Sequence, residues 1–325
     1  MKGITRRSLL QYVAPLALAG SWSVQAQEPY PNRPVRLLVP FPAGALTDSL
    51  GRMVAERLRG VLGQPLVVEN RPGSGTLLGA AVIAKAPPDG YSLMVATSTT
   101  LAIAPAMYAA PPAMPSDLTG VAMIGTVALF LVTRKDLKAT NLNELVSEMR
   151  NRPGQLNYGS PGSGTMHHLI IEMLKVEEKV SAAHIPYQGS IPALTDLISG
   201  RIDFMFLDAV AALPQIQAGK INVLAVAVDK RLGSMPQVPT VGESYPRLDL
   251  QAWQTISAPK GTPADIVNRL NAEINKSLGS AEGRAALTRV GVEANPMSVT
   301  ALNDLIARDE KRLGDLVRSI GLKAT

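Results

Sequence analysis

Residues 156–175 read LNYGSPGSGTMHHLIIEMLK, and two changes of chemistry inside them decide the fold. Residues 156–158 form a short strand candidate. The Gly, Ser and Pro of 159–164 hold neither a strand nor a helix period. From Thr165 onward Met166, Leu169, Ile170, Met173 and Leu174 recur at helical spacing. A strand, a turn of small residues and an amphipathic helix make half of a parallel β–α–β unit.

The same alternation runs outward in both directions. Strands are predicted at 35–39, 66–68, 92–96, 129–133, 204–207 and 223–226, with His184 in a further strand as a packed core residue. Helices are predicted at 76–85, 142–150, 191–199, 210–218 and 299–320. The helix after the first strand carries Leu50, Met53, Val54, Leu58 and Val61 on one face. Asn141 and Glu144 have capping-box spacing. Thr262-Pro263-Ala264-Asp265 is a helix start with Pro at the first helical position. The fold class is therefore α/β with mainly parallel sheets.

In such sheets ligands sit beyond the carboxyl ends of the strands. Four strand-exit loops share one chemistry: 40–48 (PFPAGALTD), 70–76 (NRPGSGT), 97–100 (TSTT) and 159–165 (GSPGSGT). The string PGSGT occurs twice. In the first loop Thr47 or Asp48 is expected to cap the helix that follows. Small residues ahead of a helix leave its first N–H groups open to an anion. In the fourth loop the Gly164 N–H is expected to be such a donor. Any one loop of this kind also serves as a plain connector.

Composition excludes several classes. The 325-residue chain has no cysteine, so disulfides, thiolate metal sites and a thiol nucleophile are excluded. Only 4% of residues are aromatic, which argues against stacking platforms for nucleic acid. The formal charge is +6, but Lys2, Arg6 and Arg7 in the first 26 residues supply three of it, leaving 6 − 3 = +3. That is no nucleic-acid footprint.

Residues 1–26 have a basic start, an apolar stretch from Leu9 to Gly20, then small residues up to Ala26. They read as a secretory signal peptide cleaved before Gln27. Thr5-Arg6-Arg7-Ser8-Leu9-Leu10 resembles a twin-arginine signal, with an ordinary Sec signal as the alternative. The expected location is the periplasm.

Catalytic constellations are missing: no nucleophile–base pair, P-loop or metal-ligand spacing appears. His167 and His168 are adjacent on a helix, so they point about 100° apart and cannot readily share a metal. His168 projects away from the apolar stripe near the fourth loop. It is read as a cap or support for that loop, or as a ligand contact. Asp208 follows the apolar run 204–207 at a strand's carboxyl end. It is either a helix cap or a cleft residue. No enzyme activity and no cofactor are expected.

Six segments together carry a family resemblance: YPNRPVRLLVPFPAGALTD (30–48), GQPLVVENRPGSGT (63–76), PPDGYSLMVATS (87–98), NYGSPGSGTMHHL (157–169), IPYQGSIPALTDLISGRIDFMFLD (185–208) and VPTVGES (238–244). In order and spacing the chain resembles the Bug-type extracytoplasmic solute receptors of tripartite tricarboxylate transporters. The resemblance implies a two-lobed, type II periplasmic-binding-protein fold. Lobe 1 would be 27–128 plus 252–325 and lobe 2 would be 129–251, with the strands near 121–133 and 250–258 as hinge.

It also implies a small carboxylate held between the lobes, largely by backbone N–H groups and waters. Phe41, Ala43, Gly44, Ala45, Thr47 and Asp48, with Ser98 and Thr99, would contribute from lobe 1. Ser160, Gly162, Ser163, Gly164 and Thr165 would hold the carboxylate from lobe 2, with His168, Tyr187 and Asp208 nearby. The partners implied are the permease subunits, with the receptor a monomer. A ligand sensor for a signalling partner is the alternative. One departure stands out: Ala45-Leu46 replaces the usual second glycine and the residue after it, which makes the cleft smaller or more apolar.

Overall fold

The computed structural model describes residues 30–248 and 250–323; the expected signal peptide lies outside them. The chain begins β1 (Val35–Val39), α1 (Leu46–Leu62), β2 (Leu66–Asn70), α2 (Leu77–Ala84) and β3 (Ser92–Thr97). A π turn (Thr99–Ile103) and a 3₁₀ turn (Ala104–Met107) precede β4 (Leu118–Val127). After the single residue Ala128 come β5 (Leu129–Arg134), α3 (Leu142–Asn151), β6 (Asn157–Ser160), α4 (Met166–Glu178), β7 (Ala183–Pro186), α5 (Ser190–Ile198), β8 (Phe204–Asp208), α6 (Ala209–Gln217) and β9 (Ile221–Ala227). The short α7 (Val241–Ser244) leads back to β10 (Ala252–Pro259), α8 (Ala264–Gly279), α9 (Ala281–Arg289), β11 (Val292–Glu293) and α10 (Val299–Ser319).

These elements make two sheets, in the orders β11-β4-β10-β3-β1-β2 and β7-β6-β8-β5-β9. The expected mainly parallel sheets are mixed in their pairing. β1, β2 and β3 pair in parallel, as do β6, β7 and β8. β10 runs antiparallel to β3 and β4, and β5 antiparallel to β8 and β9. The reason is topological: β5 and β10 are the strands on which the chain enters a sheet after crossing from the other. Each enters against the direction of its neighbours, while those neighbours still run the same way.

Strand alternation explains the layers. Leu37, Val39, Leu93 and Val95 face α1 and α8, where Leu50, Val54, Leu58, Val267 and Leu270 are buried. Leu38, Met94 and Ala96 face α2 and α10, with Ile83, Leu302 and Ile306. In the second sheet Leu131, Tyr158 and Phe206 meet α3 and α4, and Phe130, Val132 and Met205 meet α5 and α6. Each sheet is therefore buried on both faces, and each large side chain so buried contributes about 1.5–3 kcal/mol.

The caps explain the element ends. Asn141 Oδ1 accepts the Glu144 N–H at 2.9 Å, and the Glu144 carboxylate reaches back to the Thr140 N–H at 2.7 Å. Pro263 is the N-cap of α8 rather than its first helical residue. α1 starts at Leu46 with Ala45 as an N-cap that has no side-chain bond, so neither Thr47 nor Asp48 caps it. The prolines and Gly44 of the loop end the strand, and the helix begins two or three residues earlier than a cap at Thr47 or Asp48 would place it.

Candidate ligand-binding cleft

The cleft lies between the two sheets, where β1, β3, β6 and β8 end. Five helical starts converge on its narrow inner chamber. They are Ala45–Thr47 of α1, Ser98–Thr99 of the π turn, Thr165–His167 of α4, Gly189–Ser190 of α5 and Asp208 ahead of α6. Helix starts carry partial positive charge and open N–H groups, so their convergence favours an anion. No Lys or Arg lines the chamber among the described residues. Apolar walls come from Leu46, Val127, Leu129 and Met166, and Gln254 enters from β10.

A wider vestibule adjoins the chamber; Phe41, Pro161, Thr165 and Gly189 border both. The two PGSGT loops flank this vestibule and meet across it: a Cβ built at Gly75 would lie 3.3 Å from the Ser163 carbonyl oxygen. Their helix starts differ. Thr165 is extended and its side chain accepts the His168 N–H, whereas Thr76 is left-handed at φ 79° and caps nothing. The Met166 N–H donates to Thr99 Oγ1 at 3.3 Å, a hydrogen bond from one sheet's side of the cleft to the other.

The expected site residues divide into four groups. Ala45, Thr47, Ser98, Thr99, Thr165 and Asp208 line the inner chamber, with Phe41 at the border. Gly162, Ser163 and Tyr187 line the vestibule, where the Tyr187 hydroxyl donates to Asp196 at 2.8 Å. Ala43 and Gly44 are exposed on the rim and line neither space. Asp48, Ser160, Gly164 and His168 are buried behind the loops. Asp48 accepts the Gly44 N–H, Arg52 Nε and Asn70 Nδ2, so it braces the first loop. Those three donors hold its carboxyl below the usual range, although burial pushes the other way.

Two expectations about the fourth loop are corrected. The Gly164 N–H donates to His168 Nδ1 at 3.1 Å, so it is not a free donor for a ligand. His168 does not project away: it is buried under the loop and stacks on His184 with ring centres 3.8 Å apart. His184 is half-buried rather than a core residue, and its Nε2 lies 2.7 Å from Ser160 Oγ. Chiefly through burial, His168 is pushed down to about 3 and His184 to about 4. Two neutral imidazoles thus brace the loop from behind.

The histidine that reaches the chamber is His167, which sequence reasoning passed over because only the metal question was asked of it. Its Nε2 is 3.4 Å from Asp208 Oδ1, and neither ring nitrogen makes a hydrogen bond. At that distance and alignment the contact is electrostatic. Asp208 Oδ2 accepts the Ser190 hydroxyl at 2.9 Å. Burial alone would raise the Asp208 carboxyl, but His167 and Ser190 outweigh it and hold it low. Asp208 occupies the N-cap position of α6 without a side-chain capping bond, leaving its carboxylate to the cleft. Ser190 repeats the small-residue strand-exit signal and was legible; Gln254 is a polar residue in an otherwise mostly apolar strand.

Two α/β sheets joined by crossing strands, with helix starts aimed into the space between them, define a two-lobed solute-binding protein. Within that class the chain belongs to the tripartite tricarboxylate transporter receptor family, whose model matches residues 50–322. It is 35% identical over 313 residues to BugT of Bordetella pertussis, covering 95% of each chain. It is also 33% identical over 327 residues to a UPF0065 protein of Pseudomonas sp. strain P51, covering 100% of this chain and 97% of that one. Among solved structures, an R. palustris protein described with adipate matches at TM-score 0.86 and 34% identity, covering 90% of this chain and 99% of that one. MatC from Rhodopseudomonas palustris, described with bound malate, matches at 0.82 and 31%, covering 89% and 100%. The periplasmic binding protein BugD matches at 0.84 and 30%, covering 91% and 100%.

Proposed function

We propose that this protein is a monomeric periplasmic receptor that captures a small carboxylate and delivers it to a membrane permease of the tripartite tricarboxylate type. The observation that carries this reading is the convergence of five helix starts on a chamber that, among the described residues, no Lys or Arg lines. An anion there is held by N–H groups and hydroxyls, each charge-assisted bond contributing roughly 1.5–3 kcal/mol. The relatives solved with adipate and malate support the ligand class.

In this reading residues 27–128 with 252–325 form one lobe and 129–251 the other. They turn about the crossings at Ala128 and near 251. The ligand bridges Ala45–Thr47 and Ser98–Thr99 on one side with Thr165–His167 and Ser190 on the other, so it favours the closed state. Residues 1–26 direct export and are then removed.

The test is thermal melting of chain 27–325, refolded to shed bound ligand, against mono-, di- and tricarboxylates. Ligand at a thousandfold excess over Kd adds about 4 kcal/mol, and the midpoint should rise by about 8 °C. A folded protein unmoved by every carboxylate would overturn the reading. Delivery is tested by uptake of the identified ligand in cells with and without the chain; equal uptake would remove the transport role.

A further inference from the structure

Gln254 lines the inner chamber and is 6% exposed. It sits in mid-strand on β10, opposite Thr97 of β3 and Gly125 of β4, so its backbone is held on both sides. One end of its amide, Nε2, donates to Thr47 Oγ1 at 3.1 Å. The other, Oε1, is buried and has no hydrogen-bond partner among the described residues. A buried amide oxygen left unmet is costly, and such groups in native proteins usually mark a partner that comes from outside the chain. Turning the amide over would satisfy Oε1 from the Thr47 hydroxyl and leave Nε2 unmet instead. Either way one uncharged hydrogen-bonding end of Gln254 faces the ligand space.

The charges around the chamber limit what that partner can be. Asp208 already places a carboxylate there, and His167 is its one ionisable neighbour in the lining. Both His167 ring nitrogens are also buried and without a hydrogen bond. The converging helix starts can hold a ligand carboxylate. A second one would meet Asp208 with no Lys or Arg in the lining to offset it. Leu46, Val127 and Leu129 add apolar wall to the same chamber.

We propose that Gln254, with His167, is a specificity-determining subsite that selects a carboxylate ligand whose other end is neutral and hydrogen-bonding, a hydroxyl or a carboxamide, over a diacid or a plain alkyl acid. This deepens the carboxylate reading and rests on it. A hydroxyl and a carboxamide each donate and accept, so they meet the Gln254 amide in either orientation. A carboxylate only accepts, so it meets the amide in the turned orientation alone and there adds a second negative charge to a chamber that already holds Asp208, and an alkyl end leaves the amide unmet in both orientations.

The experiment is calorimetric titration of refolded chain 27–325 with matched ligands of four to six carbons: ω-amide acid, diacid and alkyl acid at each length. At the best length the amide acid should bind about tenfold or more tightly than either of the others, the size expected for a buried polar group met or unmet. Gln254→Met should erase its advantage over the alkyl acid. If that variant does not melt cooperatively, Gln254→Glu serves, keeping the amide acid ahead of the alkyl acid while the diacid falls further. Asp208→Asn should improve the diacid alone. A wild-type preference for the diacid, or an amide-to-alkyl ratio unchanged by Gln254→Met, overturns the subsite and leaves carboxylate capture standing. Failure of every carboxylate to bind overturns both.

Discussion

At the residue scale the fourth loop is held from behind by groups that never touch the cleft. His168 accepts the Gly164 N–H, His184 contacts Ser160 Oγ, and the two rings stack. Tyr158 stacks on His184 and donates to Glu172, which also pairs with Lys175. Both histidines titrate well below the ordinary value of about 6.5, so the unfolded chain binds more protons than the folded one between about 4 and 6.5. Their contribution to stability is complete above about 6.5 and is lost as pH falls toward 4 and 3. Urea unfolding at pH 7.5 and pH 5 should therefore show lower stability at pH 5, with His168→Gln and His184→Gln each flattening the difference. A slope unchanged in both variants would place the titration elsewhere.

At the element scale, two features can be tested one contact at a time. Gly164 has φ +76°, and a Cβ there would lie 2.3 Å from Met107 Sδ across the cleft. In the proposed open state, with the lobes apart, that clash would be absent. Gly164→Ala should cost about 1 kcal/mol in stability from its backbone, and ligand affinity should fall about tenfold beyond that. Met107→Ala should return much of the affinity but none of the stability, a pattern that a double-mutant cycle reads directly. The second feature is the docking of α10. Trp253 Nε1 on β10 donates to Asp309 Oδ2 at 2.7 Å, both residues being buried. Trp253→Phe should cost about 1–3 kcal/mol by urea unfolding, because Asp309 then loses its buried donor.

At the scale of the whole molecule, the proposed capture depends on how often the lobes are together. Thr99 Oγ1 accepts the Met166 N–H across the cleft. Thr99→Val should raise Kd by about three- to tenfold while leaving the unfolding midpoint of the ligand-free protein nearly unchanged, since the proposed open state lacks this bond. Small-angle scattering should show a smaller radius of gyration with ligand than without, and a larger ligand-free value for the variant. Equal radii with and without a bound carboxylate would exclude closure as the binding event.

The sequence by itself determined the β–α alternation, because apolar period and small-residue turns are local properties. Leu37, Leu38 and Val39 read as a doubly buried strand, and the stripe of Met166, Leu169, Ile170, Met173 and Leu174 as a buried helix face. The six quoted segments also carried the family, and the strand-exit loops named Thr47, Ser98, Thr99, Thr165 and Asp208, all of which line the chamber. Only the tertiary structure decided the direction of β5 and β10, since strand direction depends on where the chain crosses and not on local pattern. It also decided which of two adjacent histidines faces the cleft, because neighbours about 100° apart on a helix need the packing partner to tell them apart. And it brought Gln254 from the far end of the chain to Thr47, a meeting made by the order of strands in a sheet that no local spacing encodes.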